Sequence, residues 1–353
     1  MVFSETLSEG LLKAAVYYSL DSVITQDVPV PRIGAEEVLV EMHACGVCGS
    51  DLMGWYVKAR APLVLGHEPA GVVVKVGSRV KGLQEGDRVF AHHHVACLNC
   101  HYCRHGAFTL CEQFAKTHLE PGGFAEYFKV PAPNLQTDTL KIPIEMSFEE
   151  ATLIEPTGCC IRALNKCQVQ PADSAVVVGA GPSGIIFTML LKTFGADQII
   201  VTDFVDYRLK AAKTAGADLT VNPERDSLLD AVKKATDGRG ADLVIVTAPN
   251  VNAYLAGIEL CRRGGTLCAF APTQPGEFMR VSPNKLFFSE VKLVPSYSAS
   301  HLETRTALKL VQKKHVDAKK LITHRFPLNK TAEALQMAAR SKECIKVVVL
   351  NGR

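Results

Sequence analysis

At 353 residues, with 47% hydrophobic and 21% charged side chains, the chain is long enough for two domains with separate cores and has the composition of a soluble globular protein. A formal charge of +3 over this length is too small to select nucleic acid as a partner, and no stretch is apolar enough to span a bilayer as a helix. Residues Met1–Gly10 carry two glutamates and lack the apolar run of a secretion signal, so the twelve cysteines are expected in a reducing cytoplasm, serving metals or packing.

From Lys13 to Val130 the sequence reads as short β segments divided by glycine and proline, among them Lys13–Tyr18, Val38–His43, Gly71–Val76, Asp87–Ala91 and Ala125–Val130. Branched and aromatic residues between turn formers predict an irregular, mostly antiparallel β domain. A helical period covers Ser147–Lys166, opened by Ser147 with Glu149 and Glu150 in its first turn. The pattern then changes to nearly pure apolar runs, Ala175–Val178, Ile199–Thr202, Leu219–Val221, Leu243–Val246 and Thr266–Phe270. Helical stretches lie between them, Ile185–Phe194, Tyr207–Ala215, Leu228–Thr236 and Ala253–Cys261. Such alternation predicts a parallel sheet with helices on both faces. After about Pro295 come helices at Glu303–Lys313 and Thr331–Ala339 and a last apolar run, Ile345–Leu350, too short for a domain of its own and expected to rejoin the first.

Three constellations carry chemistry. Cys97, Cys100, Cys103 and Cys111 stand in a C-x2-C-x2-C-x7-C run, the spacing of a closed tetrathiolate zinc site with no open position for substrate. Val176–Val178 leads into Gly179-Ala180-Gly181-Pro182-Ser183-Gly184 and then a helix. Gly179 permits the tight turn, Gly181 the approach of a pyrophosphate, and Gly184 close packing of helix on strand. Asp203 ends the next strand, where a carboxylate accepts ribose hydroxyls and repels a 2′-phosphate, favouring NAD over NADP; Arg208 follows and can stack on adenine. The third set is scattered: Cys48, Ser50 and Asp51, then His67 and Glu68, then Glu155 before Pro156. One thiolate, one imidazole and up to two carboxylates suit a zinc with an exchangeable position, with Asp51 orienting His67.

These motifs together, C-G-S-D at 48–51, G-H-E at 66–68, the four cysteines, E-P at 155–156, G-A-G-P-S-G at 179–184 and T-H-R-F at 323–326, resemble the zinc-dependent medium-chain dehydrogenases of the alcohol dehydrogenase superfamily. The sorbitol (polyol) and threonine dehydrogenase branches are the most similar. The resemblance implies an α/β fold in which a GroES-like, β-rich catalytic domain, discontinuous over 1–162 and 296–353, accompanies a Rossmann doubly wound domain at 163–295. It implies two zinc ions, one catalytic and one structural, NAD, a small alcohol or ketone substrate, and a homodimer or homotetramer. Cys48 and His67 would be catalytic zinc ligands, with Glu68 or Glu155 as the third. Ser50 would relay the proton, and Thr157 would lie near the nicotinamide. The expected reaction is hydride transfer between NAD and a secondary alcohol or polyol.

Several residues depart from that pattern or stand outside it. Met53 occupies the place where many members carry a relay histidine, and His94, three residues before Cys97, is the candidate to replace it. His92 and His93 read as a strand end beside the cysteine loop. Lys58 and Arg60, with Trp55 and Tyr56, form either a solvated rim or a grip on a substrate carboxylate or phosphate, which leaves sugar-phosphate or hydroxy-acid oxidation as an alternative, while resemblance to the threonine dehydrogenase branch at His94 and at T-H-R-F, 323–326, leaves threonine-type amino-alcohol oxidation as another. Cys45, Cys159, Cys160, Cys167, Cys261, Cys268 and Cys344 are expected to pack.

Overall fold

The computed structural model describes residues 10–352, so the reading of Met1–Gly10 falls almost wholly outside the described residues. The chain divides into two compact units. One runs to Gly158 and resumes at Ala299; the other is Cys159–Ser298. No helix among the described residues is long and apolar enough to cross a membrane.

The first unit is built on strand Val38–Gly46. It pairs antiparallel with Glu68–Val76, with Tyr127–Val130 and with Lys346–Leu350, which in turn pairs parallel with Ile322–Pro327. Arg88–Ala91 and Thr139–Lys141 continue the sheet beyond Glu68–Val76. A three-stranded sheet, Ser22–Pro29, Leu11–Ser19 and Leu63–Val64, lies in the same unit. Val38, Val40, Met42, Val89, Phe124, Phe128, Val347 and Val349 fill one core, so the late strand is packed as deeply as the early ones. Register shifts at Leu39/Val40 and Met42/Ala44 bend Val38–Gly46 and bring Gly46 opposite both Glu68 and Val348.

The helical period at 147–166 is two helices, Phe148–Ala151 and Ile154–Cys167. Ser147 caps the first, accepting from the Glu150 amide at 3.1 Å, while the Ser147 amide donates to the Glu150 carboxylate at 2.9 Å. Pro156 explains the break: its ring excludes a helical carbonyl at Thr152, so the helix restarts with the proline in its first turn, where no amide is needed.

The second unit has a parallel six-stranded sheet in the order Leu219–Val221, Gln198–Thr202, Ser174–Val178, Ala241–Val246, Cys261–Ala269, Lys292–Pro295. The first strand in sequence, Ser174–Val178, is central, and the chain winds outward on one side and then the other. That is the Rossmann order, and its switch point lies between Ser174–Val178 and Ala241–Val246. Val176, Val178, Ile200, Val244, Val246 and Leu267 make its core. The strand Lys292–Pro295 closes one edge and was not evident in the sequence.

Candidate active site and metal centres

The four cysteines of the 97–111 run come together. Their sulfurs all lie within 4.8 Å of one another, with Cys100 and Cys103 at 3.6 Å and Cys97 and Cys103 at 4.0 Å. The Cys97 amide donates to Cys111 Sγ and the Cys100 amide to Cys97 Sγ, both at 3.4 Å. Amides from Asn99 and Cys100 lower Cys97 to about 6, whereas burial pushes Cys103 up to about 12. Sulfurs this crowded compete for protons, and a divalent cation resolves the competition by taking all of them as thiolates. Phe114 and Ala96 seal the lobe.

The second group is assembled from separate strands. Cys48 follows Val38–Gly46 and heads the turn Gly49–Leu52; the Asp51 carboxylate accepts from the Cys48 amide at 2.9 Å. Gly66, at φ +90°, places His67 at the start of Glu68–Val76. A Cβ there would lie 2.8 Å from the Phe124 amide and 2.9 Å from Cys45 Sγ, so this corner admits only glycine. Donor atoms of Cys48, His67 and Glu68 lie within 4.8 Å of one another. Buried Asp51 stands 3.3 Å from His67 Nδ1, and Ser50 Oγ is 3.5 Å from His67 Nε2. Against burial, which disfavours its charge, Asp51 and Cys48 raise the His67 imidazole well above its ordinary value. Anions that draw a proton so strongly are a setting that a divalent cation fits. Cys45 is fully buried beside this group, and burial holds its thiol protonated.

Glu155, buried at the head of Ile154–Cys167, falls in another donor group, with His92 and His93. Thr157, two residues on, is fully buried with its hydroxyl unpartnered among the described residues. His94 is buried and donates Nδ1–H to the Thr117 carbonyl at 2.6 Å; burial lowers it to about 3, so it is neutral at physiological pH. Met53 caps the Gly49–Leu52 turn. Lys58 and Arg60 are exposed on a single turn, with the Arg60 guanidinium 4.9 Å from the Tyr56 ring centroid.

In the second unit Gly179 takes φ +105°, and the helix Pro182–Thr193 starts at the end of the central strand. A Cβ on Gly184 would lie 2.0 Å from the Gly179 carbonyl oxygen, whereas one on Gly181 would meet nothing within 4 Å. The loop is therefore closed at Gly184 and open at Gly181, a cradle suited to a dinucleotide phosphate at a helix N-terminus with Pro182 and Ser183. Asp203 accepts from the Ala180 amide at 2.8 Å and the Val205 amide at 2.9 Å, so it braces the loop and keeps further lone pairs for a ribose. Arg208 is half-buried, with Nε unpartnered among the described residues.

The alcohol dehydrogenase GroES-like domain family matches residues 34–143, and the zinc-binding dehydrogenase family matches residues 182–313. Sorbitol dehydrogenase of Bacillus subtilis (strain 168) is 34% identical over 352 residues, 97% of this chain and 98% of that one. The chain belongs to the zinc-dependent medium-chain alcohol dehydrogenases. L-threonine 3-dehydrogenase of the same organism is 31% identical over 98% of this chain and 100% of its own length. Among solved structures, alcohol dehydrogenase TADH from Thermus sp. ATN1 superposes with a TM-score of 0.85 at 27% identity, covering 96% of this chain and 99% of that one.

One residue of this alcohol dehydrogenase escaped the sequence reading. Lys346, on the last strand, is 2% exposed and donates to Glu68 Oε2 at 2.5 Å and to the Val47 carbonyl at 2.9 Å. Burial opposes its charge, but Glu68 and Cys48 keep its pKa above the usual lysine value. The ammonium thereby holds one Glu68 oxygen, and Oε1 has no hydrogen-bond partner among the described residues. Gly46 makes room for the pair, since a Cβ there would lie 1.9 Å from Glu68 Oε2. The available signal was a lysine inside the apolar run Ile345–Leu350.

Proposed function

We propose that this enzyme oxidises a secondary alcohol or polyol to the ketone with NAD, using a zinc held by Cys48, His67 and Glu68. The observation that carries the proposal is the convergence of a thiol, an imidazole and a carboxyl group within 4.8 Å, brought together from two segments of the chain. Bound there, zinc supplies the Lewis acidity that makes an alcohol acidic near neutrality, and nicotinamide accepts the hydride. The chain's own residues do the rest. Asp51 holds the His67 ring, Lys346 holds Glu68, and Ser50 takes up the substrate proton. Cys97, Cys100, Cys103 and Cys111 hold the structural zinc. Gly179, Gly181, Pro182, Ser183 and Gly184 bind the dinucleotide, with Asp203 selecting NAD, Arg208 beside the adenosine and Thr157 toward the nicotinamide.

A polyol is favoured by similarity to sorbitol dehydrogenase, and an amino alcohol by similarity to L-threonine 3-dehydrogenase. His94 was the histidine that pointed to the latter, and its Nδ1–H is already given to Thr117. Rates on sorbitol, xylitol, butanediol and L-threonine should rank a polyol or diol first; L-threonine at the top would reverse the choice. Cys48→Ser should lower kcat/KM about 10³-fold, the loss of several kcal/mol of Lewis-acid stabilisation, while NADH binding by fluorescence is unchanged. Full turnover in that variant would remove the zinc mechanism.

A second copy of the chain is the proposed protein partner. The edge strand Lys292–Pro295 pairs on one side only among the described residues, and Leu293, Phe287 and Phe288 are exposed on that strand and the helix Pro283–Ser289 before it. A bare edge with apolar side chains is a template for pairing. Sedimentation should give the mass of a dimer or tetramer, and a monomer at micromolar concentration would refute it. Twelve free thiols suit the reducing cytoplasm as the working compartment.

A further inference from the structure

The segment between Cys48 and His67 carries two cations that no carboxylate of the described residues answers. Lys58 and Arg60 are exposed on one turn, and neither has an ion pair or a side-chain hydrogen bond among the described residues. The carboxylates of the neighbouring segments are already committed: Glu120 to Lys129 at 2.9 Å, Asp51 to His67 at 3.3 Å, and Glu68 to Lys346. The turn itself is fixed. Val57 is buried in the core of the first unit, and the Tyr56 and Val57 amides both donate to the Met53 carbonyl, at 2.8 and 3.0 Å. The Arg60 guanidinium lies 4.9 Å from the Tyr56 ring centroid, and Trp55 meets Tyr56 edge-on at 5.8 Å. A guanidinium over an aromatic face is held in place yet keeps its in-plane N–H donors for another acceptor.

Imidazoles join this patch to the zinc donors. Ring centroids step from His67 to His93 at 4.7 Å, from His93 to His94 at 4.0 Å and from His94 to His118 at 5.1 Å. Arg60 is near enough to His118 that its charge, added to partial burial, holds that imidazole below its ordinary value. His94 is neutral as well, and with Nδ1–H given to the Thr117 carbonyl its Nε2 remains an acceptor for a hydroxyl. The row therefore starts at a group suited to a carbinol, passes neutral imidazoles suited to hydroxyls, and ends at two positive charges.

We infer that Lys58 and Arg60 bind an anionic end of the substrate, so that the alcohol oxidised at Cys48, His67 and Glu68 is a polyol bearing a carboxylate or a phosphate monoester. A guanidinium fork beside an ammonium suits either group. The anion takes no part in the bond changes and serves to orient the carbinol. Neutral polyols are the uncharged members of the same class, and the inference rests on the proposed function.

The test compares kcat/KM for sorbitol with that for sorbitol 6-phosphate and for gluconate, in the zinc-loaded protein with NAD. At low salt at least one anion should exceed sorbitol by about tenfold. That advantage should shrink in about 0.5 M NaCl, because exposed charges are screened. Whichever anion ranks first names the group. Arg60→Gln should cut the anion-to-neutral ratio about tenfold, chiefly through KM, and Arg60→Lys, which keeps the charge, should recover part of it. Trp55 is the chain's single tryptophan, so its fluorescence reports on the patch directly. In the cofactor-free protein it should titrate with sorbitol 6-phosphate, and the titration should disappear when Lys58→Gln and Arg60→Gln are combined. No advantage for either anion, or an advantage that survives the combined substitution, would overturn the inference. Full turnover in Cys48→Ser would instead strike the zinc reading and leave the Trp55 titration standing, so the two failures are separable.

Discussion

The two cysteine-bearing donor groups are built in opposite ways. The lobe of Cys97, Cys100, Cys103 and Cys111 comes from one short stretch in which turns and two amide–sulfur bonds set the geometry. The Cys48 group needs a sheet: Cys48 after one strand, His67 and Glu68 at the start of another, and Lys346 from a strand at the far end of the chain. A local centre is insensitive to what happens in the sheet. A distributed one inherits every error in strand register.

Lys346→Met sharpens that contrast most. It strands Glu68 as an uncompensated buried charge, a loss of about 3–5 kcal/mol. Chemical denaturation should show it, and one equivalent of zinc should be lost while the lobe keeps its own. Adding Glu68→Gln should recover much of the stability, since an unpaired charge costs more than a removed pair. Equal loss from both centres in the single variant would mean that they are not independent.

A smaller effect is expected in the second unit. Gly184→Ala pushes a Cβ to 2.0 Å from the Gly179 carbonyl, so the helix must back away from the strand. Overpacking of this kind costs about 1–3 kcal/mol, and NADH affinity should fall about tenfold with metal content unchanged. Asp203→Ala is expected to be the mildest for the fold. It frees the Ala180 and Val205 amides and removes the repulsion of a 2′-phosphate, so the NAD-to-NADP ratio of kcat/KM should drop by about 1.4 kcal/mol, or tenfold. A ratio unchanged by the substitution would show that Asp203 braces the loop and selects nothing.

What could be read from the chain follows the same division. The cysteine lobe and the glycine loop were legible because neighbours in sequence make them, and the Rossmann alternation because buried parallel strands are apolar throughout. The helix break at Thr152 was hidden by a sound cap at Ser147, although Pro156 held the clue. The histidines were legible only in part. His94 turned inward to Thr117, while His92 and His93, read as a strand end, joined Glu155, because the strand stops at Ala91 and the turn is set by Asn134, more than forty residues on. No local period carries such a contact. The partner of Glu68 was out of reach for the same reason.

The Glu68–Lys346 pair also orders events during synthesis. Lys346 emerges 278 residues after Glu68, a delay of some tens of seconds at ordinary elongation rates. The contiguous Cys159–Ser298 unit and the cysteine lobe have their sequences complete within that interval. Glu68 must wait at the growing sheet with its counter-charge not yet made. On the ribosome the Cys159–Ser298 unit can mature first, and the Cys48, His67 and Glu68 group acquires its full setting only when the last strand arrives.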